Sequence, residues 1–336
     1  MIISLAPYRI SFVGGGSDLG GFYRRSRGAV LSASVNKYVY ISVHPFFHKN
    51  QSLFKYSKNE LVESLDDIQH PIFREALKDV WPQLGLEIVS TADIPSGTGL
   101  GSSSTFTVAL LNALYAYRGT FCSKEKLARK ACEIEIDRLG EPIGKQDQYA
   151  AAYGGLNLIE FNADETVLVT PLTLPKETIT QLERGLLLFF TGDRREAGPI
   201  LQDQQAQVAA DPQRFDNLKS MVEMTYRMRD LLLAGDLPAF GRLMHEAWLL
   251  KRTLSPKITT AKIERLYERA CEYGATGGKL LGAGGGGFLL LYCEPENQGR
   301  LRKALFDCFE LPFRFDWGGA RIIYVGERHT EEGFVY

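Results

Sequence analysis

The stretch TADIPSGTGLGSSSTFTVALLNALYAY, residues 91–117, opens with Pro95 and Ser96 and alternates Gly97, Gly99 and Gly101 with Thr98 and Leu100. It then passes through Ser102, Ser103, Ser104 and Thr105 into an apolar helical pattern. Glycine tolerates positive φ, so such a loop can turn successive N–H groups toward one point. A helix start on the same side adds unpaired N–H groups and partial positive charge, a combination that suits a phosphate. A plainer reading makes Ser103 or Ser104 a helix cap and the glycines an ordinary loop. Spacing excludes the common rivals. A P-loop needs G-x-x-x-x-G-K-[ST], which neither this loop nor Gly277-Gly278-Lys279-Leu280 supplies. The dinucleotide fingerprint spaces its glycines G-x-G-x-x-G near the start of a βαβ unit, whereas these alternate and lie late. The serine-hydrolase elbow G-x-S-x-G is absent. What remains is a phosphate loop of another kind, with hydroxyls where a metal ligand can be wanted.

Composition sets the frame around this loop. The 336 residues are 45% hydrophobic and 24% charged, enough for a substantial core divided between two domains. Lys and Arg number 39 against 40 Asp and Glu, and a net charge of -1 argues against broad nucleic-acid binding or a membrane-attracted surface. The five cysteines are odd in number, widely spaced and free of C-x-x-C, so neither a disulfide framework nor a cysteine zinc site is indicated, and the chain reads as cytoplasmic. Pro7 and Arg9 interrupt the apolar N-terminus, which is unlike a signal peptide, and no apolar run spans a bilayer. The five histidines are scattered, with no H-E-x-x-H. Oligomeric state is not legible.

Along the chain, residues 2–13 read as a strand broken at Pro7 and running into Gly14, Gly15, Gly16, Ser17 and Asp18. A second β-rich stretch covers 29–44, a short helix 73–80, and a strand at 86–89 feeds the phosphate loop. Residues 156–161 and 166–172 form a strand pair. Residues 171–181 read as a linker, which places the domain boundary between 1–175 and 176–336. An apolar strand at 185–192, helices near 214–233, 237–254 and 259–273, a glycine segment KLLGAGGGGFLLLYC (279–293), a helix at 296–309 and strands at 313–315 and 321–325 then complete a βαβ-like pattern on an antiparallel sheet. The fold class is α/β in the α+β sense. The methionines read as core filler.

Two acidic residues stand out. At about 100° per residue, Lys126, Arg129, Lys130, Glu133 and Asp137 share the solvated face of a helix over 124–139, while Glu135 falls with Ala128, Ala131, Cys132 and Leu139 on the inward face. A buried carboxylate needs a partner, either an ion pair with Arg138 or a metal. Asp147, in GKQDQYAAAYGG, opens a short helical turn that it could simply cap.

Three segments in this order, APYRISFVGGGSD (6–18), IPSGTGLGSSS (94–104) and LLGAGGGGF (280–288), resemble the three signature motifs of the GHMP kinases. The resemblance covers nearly the whole chain. It implies a ribosomal S5 domain 2-like N-terminal domain and a ferredoxin-like C-terminal domain, with ATP and acceptor in the cleft between them. Pro95, Ser96, Gly97, Thr98, Gly99, Leu100, Gly101, Ser102, Ser103 and Ser104 would wrap the ATP phosphates. Ser103 and Glu135 match the Mg²⁺ ligands, Asp147 the residue that orients or deprotonates the acceptor hydroxyl, and Arg9 its basic partner. Gly14, Gly15, Gly16, Ser17, Asp18, Gly284 and Gly285 fall in the substrate-side motifs, with Asp18 matching a sugar ligand.

Galactokinases carry Glu-His where this chain has Gly15-Gly16, which removes sugar contacts, opens space and disfavours galactose. The G-G-G-S-D form, with GKQDQYAAAYGG and TGDRREAGPIL, resembles bacterial kinases that phosphorylate C1 of D-glycero-D-manno-heptose 7-phosphate for surface polysaccharides. A small-molecule sugar phosphate is therefore the expected partner. The alternatives are a fucose- or arabinose-type sugar 1-kinase, a non-catalytic sensor of the same fold and, weakest, a dehydrogenase. A helix terminus contributes only about 0.3–1 kcal/mol toward an exposed charge, whereas a millimolar to micromolar ligand needs about 4–8 kcal/mol. The loop therefore needs Mg²⁺ and an adenine pocket beside it. A distal phosphate would need a second anion site, for which Arg24, Arg25, Arg27, Lys145, Arg194 and Arg195 are candidates.

Overall fold

Strands rich in Val, Ile, Tyr and Phe, buried at nearly every position in the first and alternating only toward the end of the second, build most of the first half into one sheet. The computed structural model describes residues 1–326; the last ten residues of the expected second domain lie outside the described residues. Strand β1 (Ile2–Val13) pairs antiparallel with β2 (Gly28–Pro45) along almost its full length. Pro7 does not break it. The register shifts between Pro7 and Tyr8, a bulge that absorbs the missing donor. The long β2 pairs with β5 (Leu86–Ala92) through one half and with β6 (Leu156–Phe161) through the other, and β7 (Val167–Pro171) extends β6. A hairpin of β3 (Ser52–Lys55) and β4 (Asn59–Val62) joins the sheet through a parallel β3–β5 contact.

Helices α1 (Gly20–Tyr23), α2 (Pro71–Val80), α3 (Ser102–Arg118), α4 (Lys124–Cys132) and α5 (Gln146–Tyr153) accompany this sheet. Helix α3 is buried on most of its faces and packs on β1 and β2. Beyond Cys132 the helix widens into a π-helical segment, Glu133–Arg138, closed by Leu139 N–H donating to Ile134 O at 3.0 Å. Residues 171–181 are not all linker. Lys176–Gly185 forms helix α6, which buries Leu182 and half-buries Ile179, an amphipathic spacing that Pro171 and Pro175 mask.

A second, all-antiparallel sheet has the order β11 (Phe309–Glu310), β8 (Leu186–Phe190), β10 (Phe288–Tyr292), β9 (Gly277–Leu280). Fourth, first, third, second is the ferredoxin-like order. Helices α7 (Gly198–Ala210), α8 (Pro212–Ala234), α9 (Leu237–Thr253) and α10 (Ala261–Glu272) lie between β8 and β9, and α11 (Gln298–Ala304) follows β10. Helix α8 packs on β2 and α9 on β9, so this pair spans the two sheets.

The chain end departs from the expected pattern. Residues 313–315 form only an isolated bridge, Val35 to Phe315, and β12 (Arg321–Val325) pairs with β1 in the first sheet. Asp316 turns the chain there: its carboxylate accepts from Gly318 N–H and Gly319 N–H and pairs with Arg321 at 3.0 Å. Such a return depends on long-range pairing that local pattern does not encode.

Candidate active site

The alternating glycines of the phosphate loop all take positive φ, at 77°, 85° and 101-position 82°. Strand β1 anchors both ends of the loop. Tyr8 OH donates to Ile94 O at 2.6 Å, Arg9 N–H to Leu100 O at 3.2 Å, and Arg9 Nη1 to Gly99 O at 2.7 Å. The second glycine segment lies backbone to backbone against it. A Cβ on Gly99 would sit 2.5 Å from Leu281 O, and one on Gly287 would sit 2.3 Å from Thr98 O. Only glycines allow that approach.

Beside the two loops opens a cavity of about 670 Å³ between the two sheets and their helices, within the range of small-molecule sites. Ser96, Gly97, Gly99, Gly101, Ser102, Ser103 and Ser104 line it, as do Arg9, Gly15, Gly16, Asp18, Asp147, Arg195 and Gly284. Pro95, Thr98 and Leu100 do not. Thr98 turns its hydroxyl back to Pro95 O at 3.1 Å, and Leu100 is fully buried, so these residues shape the loop from behind. Gly14, Ser17 and Gly285 also stand off the wall. Ser17 Oγ donates to Ala29 O and accepts from Ala29 N–H at 3.0 Å each, Gly14 lies against Ala29 O, and Gly285 faces Ile200. These three pack behind the wall that Gly15, Gly16, Asp18 and Gly284 line.

Helix α3 is capped by Gly101 with no side-chain hydrogen bond, so neither Ser103 nor Ser104 is the cap. Ser103 Oγ instead donates to Glu135 Oε1 at 2.9 Å, and Gln148 Nε2 donates to Glu135 Oε2 at 2.8 Å. Arg138 is not Glu135's partner, because it pairs with Glu133 and Asp79. Glu135 is fully buried and sits behind Ser103 rather than on the cavity wall. Burial pushes its carboxyl up to about 7, against the pull of Gln148 and Ser103. Among the described residues no three His, Cys, Asp or Glu group to hold a metal alone. Ser103 and Glu135 can supply part of a shell, which is how Mg²⁺ is held when phosphates and waters complete it.

Asp147 caps nothing. Arg9 takes both its oxygens, Nε to Oδ1 at 2.6 Å and Nη2 to Oδ2 at 2.8 Å, a bidentate pair on the cavity wall. Asp18 is buried and accepts from Gly16 N–H at 2.9 Å and Gln146 Nε2 at 3.0 Å; burial raises its pKa.

Sequence reasoning missed Lys251 on α9 and Lys279 on β9, both buried and both on the cavity wall. It also missed an aromatic recess of Tyr56, His70 and Phe106. Burial lowers the pKa of His70, and its Nδ1 has no hydrogen-bond partner. The basic candidates fare differently. Arg24 and Lys145 pair with Glu165, Arg27 pairs with Glu160, and Arg25 stacks on Phe215, all away from the cavity wall. Of the others, Arg195 lines the cavity and Arg194 does not.

Two family models match the chain: GHMP kinases N terminal domain over residues 69–155 and GHMP kinases C terminal over residues 228–310. A D-glycero-alpha-D-manno-heptose 7-phosphate kinase of Campylobacter jejuni is 29% identical over 310 residues, 89% of this chain and 91% of that protein. The bifunctional fucokinase/GDP-fucose pyrophosphorylase of Arabidopsis thaliana is 28% identical across 93% of this chain, which spans 32% of that protein. The crystal structure of a D-glycero-D-manno-heptose 1-phosphate kinase from Bacteroides thetaiotaomicron matches with a TM-score of 0.81 at 26% identity, over 97% of this chain and 100% of that one. With both domain models matched in order and the glycine loops, ferredoxin-like sheet and intervening cavity in place, the chain belongs to the GHMP kinase family of ATP-dependent phosphotransferases.

Proposed function

We propose that this chain transfers the γ-phosphoryl group of ATP to the anomeric C1 hydroxyl of D-glycero-D-manno-heptose 7-phosphate. The product would be the 1,7-bisphosphate that feeds nucleotide-activated heptose for surface polysaccharide. The observation that carries the transfer chemistry is the bidentate Arg9–Asp147 pair on the wall of the cavity beside the glycine loop. The choice of acceptor draws support from the Campylobacter jejuni relative and from the glycines at positions 15 and 16.

In this reading the loop N–H groups and the start of α3 receive the nucleotide phosphates, and Tyr56, His70 and Phe106 receive the adenine. Ser103 Oγ and the ionised Glu135 hold Mg²⁺, which when bound neutralises phosphate charge. Arg9 fixes the plane of the Asp147 carboxylate and occupies one lone pair on each oxygen. Those that remain accept and steer the proton of the attacking hydroxyl, while the guanidinium offsets charge growing on that oxygen. Asp18 and the backbone at Gly15 and Gly16 border the acceptor.

A fucose-type 1-kinase is the second reading, favoured by the Arabidopsis thaliana relative. An ADP-release assay across free and phosphorylated sugars separates the two. Heptose 7-phosphate is expected to give the highest kcat/KM, and equal or better turnover of fucose or another unphosphorylated sugar would refute the acceptor assignment.

A further inference from the structure

We infer that Lys251 and Lys279, with the side-chain amide of Gln204, form the subsite that holds the acceptor's own phosphate group. This rests on the reading that the acceptor is a sugar phosphate, and it locates the part of the cavity that recognises it.

Lysine is almost never fully buried unless paired. Lys251 and Lys279 are only 4% and 5% exposed, yet neither forms an ion pair with any described residue. Their contacts are neutral oxygens. Lys251 Nζ donates to Gly15 O at 3.0 Å and Gln204 Oε1 at 2.9 Å, and Lys279 Nζ donates to Ser11 Oγ at 3.2 Å. An ammonium carries three N–H donors, so one remains on Lys251 and two on Lys279. Gln204 Nε2 is buried and has no partner either. Several donors and two buried amines thus share one neighbourhood, with no described carboxylate within ion-pair distance of either amine.

The same neighbourhood depends on a missing side chain for its close approach to the first motif. A Cβ on Gly16 would lie 2.3 Å from Gln204 Nε2 and 3.3 Å from Lys251 Nζ. Gly16 borders the cavity, so the donors of Gln204 and Lys251 meet the first motif at the cavity's edge. Asp18 is the nearest acid in electrostatic terms, but its oxygens are already engaged by Gly16 N–H and Gln146. Burial and mutual repulsion lower Lys279 to about 7, and burial lowers Lys251 to about 8; an anion between them would reverse both shifts.

Placement separates this site from the nucleotide. Lys279 bonds Ser11, which lies two residues along β1 from Arg9 and on the same side of the strand. That spacing is about 7 Å, so the amines lie one strand repeat beyond the Arg9–Asp147 pair. An acceptor whose reacting hydroxyl and phosphate sit at opposite ends of the molecule needs such an offset.

The test compares wild type with Lys251→Met and Lys251→Arg, using D-glycero-D-manno-heptose with and without its 7-phosphate. Loss of a charge-assisted hydrogen bond is expected to lower the selectivity for the phosphorylated sugar by ~10- to 100-fold in Lys251→Met, chiefly through KM. Lys251→Arg is expected to restore part of it. An unchanged selectivity ratio, or a loss confined to the KM for ATP, would overturn the subsite. A wild-type enzyme with no preference for the phosphorylated sugar would instead remove the acceptor assignment and the subsite with it. A measurement on wild type alone guards against misfolding of the variants. Inorganic phosphate is expected to inhibit competitively against the sugar and not against ATP, and the opposite pattern would refute the placement.

Discussion

Glu135→Gln removes a charge from a fully buried side chain while keeping its shape, so its effect on stability isolates the cost of that charge. Burial raises the carboxyl from 4.5 to about 7. At 1.36 kcal/mol per pKa unit, a shift of about 2.5 units corresponds to about 3 kcal/mol. The sign follows from linkage. Between these two values the folded chain holds a proton that the unfolded chain has released, so the stability contributed below pH 4.5 is lost as pH rises and is gone above about 7. The metal-free wild type should therefore lose about 3 kcal/mol between pH 4.5 and 8 relative to Glu135→Gln. For a chain of this length, with ΔS near 2.1 cal/mol/K per residue, that is about 4 °C in Tm. The variant can keep its hydrogen bonds. Gln148 Oε1 is buried without a partner, so turning that amide lets it accept from the new side-chain NH₂. Thermal melts in EDTA at pH 5, 6, 7 and 8, without nucleotide, measure the difference. Parallel Tm curves for the two proteins would show that no strained carboxylate sits behind Ser103, and the reasoning that makes it a waiting metal ligand would fall.

Asp147→Asn keeps an acceptor for Arg9 but cannot take a proton. kcat should fall by about 10²- to 10⁴-fold with sugar KM little changed, and wild-type turnover in steady-state kinetics would remove Asp147 from the chemistry. Gly99→Ala places a methyl group 2.5 Å from Leu281 O at a φ of 85°. It should cost about 1–3 kcal/mol in backbone strain alone and raise the KM for ATP, which a thermal melt and an ATP titration would check. A variant as stable as wild type would mean that the two glycine loops do not depend on their close approach.

What could be read from the sequence shares one property: it was local. Alternating glycines mark positive φ wherever they fall, and Gly97, Gly99 and Gly101 all adopt it. The inward direction of Glu135 follows from helical periodicity and survives even though the helix widens to π geometry two residues earlier. The errors came from pairings between distant segments. Strand β12 returns to β1, and the hairpin of β3 and β4 reaches β5, through contacts that no neighbouring residue announces. Helix α7, which carries Gln204, opens inside TGDRREAGPIL at Gly198 and Pro199, two residues that mask a helix start in the local pattern.

The two lysines show where the same local logic stopped short. Charge density makes the arginine-rich surface segments conspicuous as a second anion site, yet Arg24 and Arg27 are paired with Glu165 and Glu160. Lys251 sits in a pattern that contradicts its own chemistry. On α9 the residues Phe240, Met244, Ala247 and Trp248 mark the buried stripe, and Lys251 falls three residues past Trp248 on that stripe. An ionisable residue on an apolar helical face is the signal that singled out Glu135, and applying it to α9 would have found Lys251 as well. Lys279 carries the same mark inside a short strand buried at every position. On the proposed subsite, Lys251 and Lys279 are residues whose charge and burial disagree, and a bound acceptor phosphate is what reconciles the two.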